Sequence, residues 1–330
     1  MRVADFVIFF FYLAGVTIFG ESFFRKSKTV HIRNSLKTNN NMKTRIAFLI
    51  IYFLFGITSA SYSQKASGHI FTTGPKNGYL VIAGGGGQCD SIIKRFIDLA
   101  GGPDTPIVVI PTAGGREKYD INAASADKMR KLGAKNITML HTTDKLIANT
   151  DSFVSPLLNA KGVWFGGGRQ WRLVDAYKDT KTEKMLWKVL EKGGVIGGTS
   201  AGATIQGSYL ARGDTKNNQI MMGDHEEGFG FINNVAIDQH VLARNRQFDM
   251  FDILKNRPEL LGISIDENTA IIVQGDMFEV IGKGYVIIYD NSFWSREGST
   301  LKNLPLENDL FYFLREGDKY NLKKRKVLEN

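Results

Sequence analysis

The chain has 330 residues, 43% of them hydrophobic, with a formal net charge of +9 and one cysteine. That length can bury one large core or two modest ones, and a lone cysteine excludes an intramolecular disulfide. The charge does not mark a nucleic-acid binder. Residues 1–63 hold eight Lys/Arg against Asp5 and Glu21, two thirds of the whole excess, and the remainder has an ordinary globular balance. The terminal run Lys323-Lys324-Arg325-Lys326 reads as a solvated tail.

Residues 1–63 read as a targeting region. Met42-Lys43-Thr44-Arg45 is a basic start, Ile46 to Ile57 is a twelve-residue apolar run, and Ser59, Ala60, Ser61 and Ser63 supply small residues for cleavage. That order is the pattern of a signal peptide at about 42–63, and it predicts export to the periplasm or outside the cell. No cysteine stands at the cleavage region, which argues against a lipoprotein. A second apolar run, Phe6 to Gly20, is shorter than the ~18–20 residues of a spanning helix. We therefore read residues 1–41 as an upstream extension from a misplaced start, with Met42 as initiator. The alternative is a membrane anchor over 6–20. On either reading, membrane contact is confined to this segment.

Residues 64–330 read as one α/β domain, with no repeat and no linker. Tyr79 to Ala83 is a buried strand ending in Gly84-Gly85-Gly86-Gly87; Ile92, Ile93, Phe96, Ile97 and Ala100 then share one helical face until Gly101-Gly102. Ile107 to Ile110 is a second strand, a helix follows from about Asp120 to Gly133, and Ile137 to Leu140 returns as a strand. Val163-Trp164-Phe165 leads into Gly166-Gly167-Gly168, residues 182–192 form a helix, and Val195-Ile196 opens another strand. Wholly apolar strands alternating with helices predict a mainly parallel sheet covered by helices on both faces. After residue 260 short strands crowd together at Gly262–Ile265, Ala270–Val273, Met277–Ile281 and Tyr285–Tyr289, with Gly282-Lys283-Gly284 as a hairpin turn. The C-terminal end is thus expected to be antiparallel.

In such sheets ligands sit beyond the carboxyl ends of strands, which sets both glycine runs along one rim. The Gly84–Gly87 run lacks the Gly-x-Gly-x-x-Gly spacing of dinucleotide sites, Asp90 standing near the third glycine's place. No acidic residue closes a second strand at the right distance either. Turn geometry or contact with a substrate backbone accounts for the run better than a nucleotide.

Gly198-Thr199-Ser200-Ala201-Gly202 stands on that rim, between an apolar strand and a small-residue helix start. Strand, Gly-x-Ser-x-Gly and helix form a nucleophile elbow, a strained turn that raises a serine hydroxyl above the sheet edge. The following N–H, that of Ala201, points where an oxyanion develops. A serine nucleophile needs a base. His31 lies in the targeting region, His69 near the mature terminus, and His141 and His225 in polar loops. His240 remains, in Asp238-Gln239-His240, a polar triplet that interrupts an apolar segment, where polar groups are costly unless they serve a pocket. The acid that orients it is Asp266 or Glu267, at the end of the strand Ile263–Ile265. No His-x-x-x-His spacing suggests a metal, and no cofactor is called for.

Together these motifs resemble the cyanophycinases and their relatives the aspartyl dipeptidases. The family patterns Trp-Phe-x-Gly-Gly-x-Gln, Gly-Gly-Thr-Ser-Ala-Gly-Ala, Asp-Gln-His and Gly-x-x-x-Asp-Glu stand here at Trp164–Gln170, Gly197–Ala203, Asp238–His240 and Gly262–Glu267. The resemblance spans roughly residues 78–290. It implies the α/β fold of class I glutamine amidotransferases and flavodoxins. It also implies a serine-type peptidase cleaving β-aspartyl (β-Asp-Arg) bonds of a peptide or cyanophycin-like polymer, and a homodimer; the alternatives are an α-aspartyl dipeptidase-like exopeptidase and a catalytically silent exported peptide-binding protein. By resemblance Ser200 is the nucleophile, His240 the base, Glu267 the acid, and Gly168 and Ala201 the oxyanion donors. Gln170, Asp238, Gln239, Arg244 and Arg246 map to the substrate pocket, where an arginine can grip a free carboxylate and Asp238 can take a substrate guanidinium. The family's third arginine is replaced by Asp249, a charge reversal, and neither its effect nor that of Arg169 on specificity follows from the sequence.

Overall fold

Tyr79-Leu80-Val81-Ile82-Ala83 forms strand β1, buried on both faces as a strand inside a covered sheet must be. This computed structural model describes residues 71–87, 89–123, 125–296 and 310–329; the targeting region of residues 1–63 lies outside them. Strand β1 is the seam of a nine-stranded sheet. On one side it runs parallel to β5 (Val195–Thr199), which continues through β4 (Gly162–Phe165) and β2 (Ile107–Ile110) to β3 (Ile137–Met139). On the other side the pairing turns antiparallel, through β9 (Thr269–Gln274), β10 (Met277–Gly282), β13 (Lys319–Asn321) and β14 (Lys326–Leu328).

Alternation along β1 divides the core. Val81 and Ala83 meet helices α1 (Asp90–Leu99) and α2 (Ser125–Lys131) with Phe96, Ile97, Met129 and Trp164. Leu80 and Ile82 face the opposite layer, where α5 (Trp171–Tyr177) and α6 (Lys181–Glu191) pack beside a second sheet. Two short helices, α3 (Lys145–Ala148) and α4 (Asp151–Val154), complete that side, begun by side-chain caps from Asp144 and Thr150. Helix α2 is shorter than the expected 120–133. Asp120 accepts from the Asn122 N–H at 2.7 Å and so holds a turn instead of starting the helix.

The second sheet contains β6 (Gly207–Tyr209), β7 (Ile232–Gln239), β8 (Leu261–Ile265), β11 (Val286–Tyr289) and β12 (Tyr312–Leu314). Strands β6, β7 and β8 are parallel, and β11 and β12 antiparallel. Its inner residues Val235, Ile237, Ile263, Ile265 and Ile288 join the main core, while Ala236, Ile287 and Tyr289 pack outward on α8 (Met250–Leu254).

The α/β class and the antiparallel end hold, and two details change. Gly282-Lys283-Gly284 is not a hairpin, because β10 and β11 do not pair; the chain crosses there from one sheet to the other. The turn at residues 266–268 makes the opposite crossing, from β8 to β9. Nor is the basic run at 323–326 a loose tail. Lys326 belongs to β14, the Lys323 ammonium lies 5.0 Å from the Phe71 ring centre, and Arg325 donates to Thr72 Oγ1 at 3.3 Å.

Candidate active site

Strand β5 ends at Thr199, and Ser200 takes φ 56°, ψ −114° before the four-residue helix α7 (Ala201–Thr204). A non-glycine residue there costs about 1–3 kcal/mol and persists only where its surroundings hold it. Here the Ser200 N–H donates to Ala83 O at 3.1 Å, and Ala203 and Thr204 N–H return to Ser200 O. The flanking glycines are dictated by crowding: a Cβ on Gly198 would lie 2.2 Å from Gly202 O, and one on Gly202 2.3 Å from Phe165 O.

His240 follows the last residue of β7 and also has a left-handed backbone, φ 56°. Its Nε2 lies 3.0 Å from Ser200 Oγ and its Nδ1 2.6 Å from Glu267 Oε1. A carboxylate only accepts, so Nδ1 carries the proton and Nε2 keeps a lone pair for the serine hydroxyl. Glu267 stands in the crossover after β8. The neighbouring acid is occupied elsewhere: Asp266 Oδ1 accepts from Leu242 N–H at 3.0 Å and Ala243 N–H at 2.9 Å, fixing the turn that follows His240. Of the two acids the sequence offered, geometry therefore brings Glu267 to the histidine.

The Gly84–Gly87 run is the floor of this arrangement. A Cβ on Gly85 would sit 2.2 Å from His240 Cε1, and one on Gly86 would sit 2.8 Å from Glu267 Oε2. Its backbone ties the parts together: His240 N–H donates to Gly84 O at 2.9 Å and Asn268 N–H to Gly85 O at 3.2 Å.

Gly167 borders the nucleophile, since a Cβ there would lie 3.4 Å from Ser200 Cβ. Gly168 has φ +142°, and a Cβ would meet Ala113 O at 2.0 Å; Arg169 N–H donates to that same carbonyl at 2.8 Å. This loop is thereby fixed beside the serine, with Ala201 following the serine in chain.

The pocket residues divide. Gln170 is fully buried and donates through Nε2 to the carbonyls of Ala211 (2.7 Å) and Arg212 (2.8 Å). Arg169 likewise donates through Nη2 to Asp214 O. Asp238 is 0% exposed, and both its oxygens are taken by Arg212, Nε to Oδ1 at 2.7 Å and Nη2 to Oδ2 at 2.9 Å. The expectation that Asp238 takes a substrate guanidinium is therefore corrected: a guanidinium of the protein itself is there. Asp249 accepts from Arg212 Nη2 at 2.5 Å, so its charge is spent on the same arginine. Gln239 is buried, with Oε1 lacking a partner; Arg244 is exposed, and Arg246 is 9% exposed. Among the described residues neither arginine has a carboxylate within ion-pair distance.

Burial lowers the His240 pKa from its ordinary 6.5; Glu267 opposes this, and the nearby charges of Arg244 and Arg246 add to the lowering. The imidazole is therefore neutral at neutral pH, as a general base must be. The other two described histidines lie elsewhere. His141 Nδ1 is 2.8 Å from Thr112 Oγ1, and His225 is held between Asp175 (2.8 Å) and Asp224 (3.0 Å). A hydroxyl, a neutral imidazole and a carboxylate in hydrogen-bonding file are equipped for acyl transfer.

The profile of Peptidase family S51 matches residues 80–281, more than half of the chain. The chain belongs to this family. It is a serine-type peptidase, similar to the cyanophycinase of Geminocystis herdmanii, 34% identical over 242 residues (70% of this chain, 88% of that protein). It is also similar to the cyanophycinases of Thermosynechococcus vestitus (30% over 260 residues, 75% and 80%) and of a Nostoc species (30% over 265 residues, 77% and 88%). A crystal structure of a peptidase from an acI-B1 actinobacterium shares the fold, with TM-score 0.55 and 24% identity over 77% of this chain and 98% of that one.

In this S51 site the sequence placed the Gly84–Gly87 run on the rim but not against His240 and Glu267, and it gave no sign of Arg212. The Gly84–Gly87 run could have been tied to the site by asking what a side chain there would strike, but its partners lie more than 150 residues away. Arg212 stands in Leu210-Ala211-Arg212-Gly213 with no motif to mark it.

Proposed function

We propose that this protein is an exported peptidase acting on peptides that contain β-Asp-Arg units, through an acyl-enzyme on Ser200. The observation that carries the proposal is the file of Ser200, His240 and Glu267, with contacts of 3.0 Å and 2.6 Å. In this reading Ser200 Oγ attacks the scissile carbonyl while His240 Nε2 takes its proton. Glu267 holds the tautomer and stabilises the imidazolium, and the N–H groups of Gly168 and Ala201 receive the oxyanion. The imidazolium then protonates the leaving amine, and water clears the acyl-enzyme. Substrate class rests on the cyanophycinases to which the chain is similar and on the two arginines beside the histidine, which suit the free carboxylate of an aspartyl group. Export rests on the order of residues 42–63.

The test is incubation with cyanophycin and, separately, with α- and β-linked Asp-Arg dipeptides, with products resolved by mass spectrometry. Wild type releases arginine-containing fragments from cyanophycin and free aspartate and arginine from the β-linked dipeptide, and Ser200→Ala lowers turnover by about 10⁴–10⁶-fold. An equal rate in the variant rejects the nucleophile; cleavage of the α-linked isomer alone rejects the substrate class. Mature protein beginning near Ser61–Lys65 supports export, and retention of residues 1–60 rejects it.

A further inference from the structure

The arginine that occupies Asp238 has a consequence for what the site selects. Arg212 is 1% exposed, and its guanidinium meets two carboxylates, Asp238 in bidentate fashion and Asp249 through Nη2. Its Nη1 donates to Asn218 O at 3.2 Å, and Gln170 Nε2 donates to the backbone carbonyls of residues 211 and 212. The arginine is thus locked from both ends. Asp238 is two residues before His240 in β7, and Gln170 is two residues after Gly168. Arg212 therefore joins the strand that ends just before the histidine, through its side chain, to the loop beside the nucleophile, through its backbone carbonyl.

We propose that Arg212 is a specificity-determining residue: it withholds Asp238 from cationic ligands and leaves Arg246 and Arg244 as the unpaired charges beside the histidine. Arg212 spends its charge on Asp238 and Asp249, and among the described residues the charged groups beside the histidine without a carboxylate at ion-pair distance are the guanidiniums of Arg246 and Arg244. Arg246 is itself nine-tenths buried, and its described hydrogen bond is a long one, Nη1 to Gln239 O at 3.5 Å. A desolvated guanidinium without a carboxylate calls for an anion. The site accordingly takes the carboxylate of an aspartyl unit, and a substrate arginine is not read by Asp238. This rests on the reading of the site as that of an aspartyl-peptide hydrolase, yet it is a statement about charge selection that ligand binding can test without turnover.

The experiment titrates Ser200→Ala protein calorimetrically with succinate, a small dicarboxylate, and with agmatine, a small guanidinium. Succinate is expected to bind at least about tenfold tighter than agmatine, the scale of one favourable charge contact. Adding Arg212→Lys keeps a positive charge but gives up the bidentate grip, so agmatine should tighten and succinate weaken. Equal binding of the two ligands by Ser200→Ala overturns the proposal. So does agmatine binding that Asp238→Asn abolishes, or failure of both ligands to bind. Thermal melting and near-ultraviolet circular dichroism check that Arg212→Lys folds; should it not, the Ser200→Ala/Asp238→Asn comparison decides alone. Failure of wild type to cleave any aspartyl peptide is a separate outcome, and it bears on the function rather than on this selectivity.

Discussion

Gly85 and His240 occupy one space: the imidazole fills the volume in which a Cβ on Gly85 would stand, 2.2 Å from the ring carbon Cε1. The glycine also has φ +125°, a conformation that L side chains rarely adopt. Gly85→Ala should therefore tilt the ring away from Ser200 Oγ. The expected result is a fall in kcat of at least about 100-fold, because small misplacements of reacting groups have that scale. Steady-state kinetics on the preferred peptide checks this; an alanine variant of wild-type rate would mean that the ring finds room elsewhere.

Glu267→Gln keeps the shape of the acid and removes its charge. An amide that turns its NH₂ toward the ring favours the wrong tautomer, leaving Nε2 with the proton. We expect kcat to drop by about 10²–10⁴-fold with KM little altered. Asp266→Asn provides the contrast. It weakens the acceptor for two backbone N–H groups without touching the ring, so its larger effect should be on unfolding free energy, at about 1–3 kcal/mol.

The pH profile follows from the environment of His240. Its base form is the neutral ring, and burial together with Arg244 and Arg246 lowers the pKa below 6.5 against the opposing pull of Glu267. Activity should thus be on its plateau above pH 6.5 and be lost as the pH falls through a lower value. Arg246→Gln removes one repelling charge, so the acid limb of kcat/KM should move to higher pH. A limb centred above 6.5 in wild type, or a downward move in the variant, would contradict this account.

Arg212→Ala leaves Asp238 buried without its partner. Breaking a buried pair from one side costs about 3–5 kcal/mol, and urea unfolding should register a loss of that size. Asp249→Asn should cost much less, because Asp249 is 37% exposed and the bidentate contact with Asp238 survives.

What the sequence made readable was local. The elbow announces itself because Gly-x-Ser-x-Gly is a contiguous motif in which Gly198 is crowded by Gly202 four residues on, and β2 and β4 because strands covered on both faces are apolar throughout. The helix over 181–191 shows the same economy, its buried residues repeating at three and four. Contacts between distant segments were not readable. Nothing in β7 or β8 says that they belong to a different sheet from β1, since inward residues of either sheet are the same aliphatic types. The turn at 282–284 has hairpin residues but joins two sheets, a distinction that lies in pairing and not in composition. Asp238 was recognised as belonging to the site but was given to the substrate, because its true partner comes from a loop 26 residues earlier.

The reacting groups are divided between the two sheets: Ser200 leaves the end of a strand in one, whereas His240 and the segment bearing Glu267 leave strands of the other. A nascent chain that has completed either layer alone owns an alcohol with no base or a base with no alcohol. The catalytic file is thus complete only when both sheets are in place.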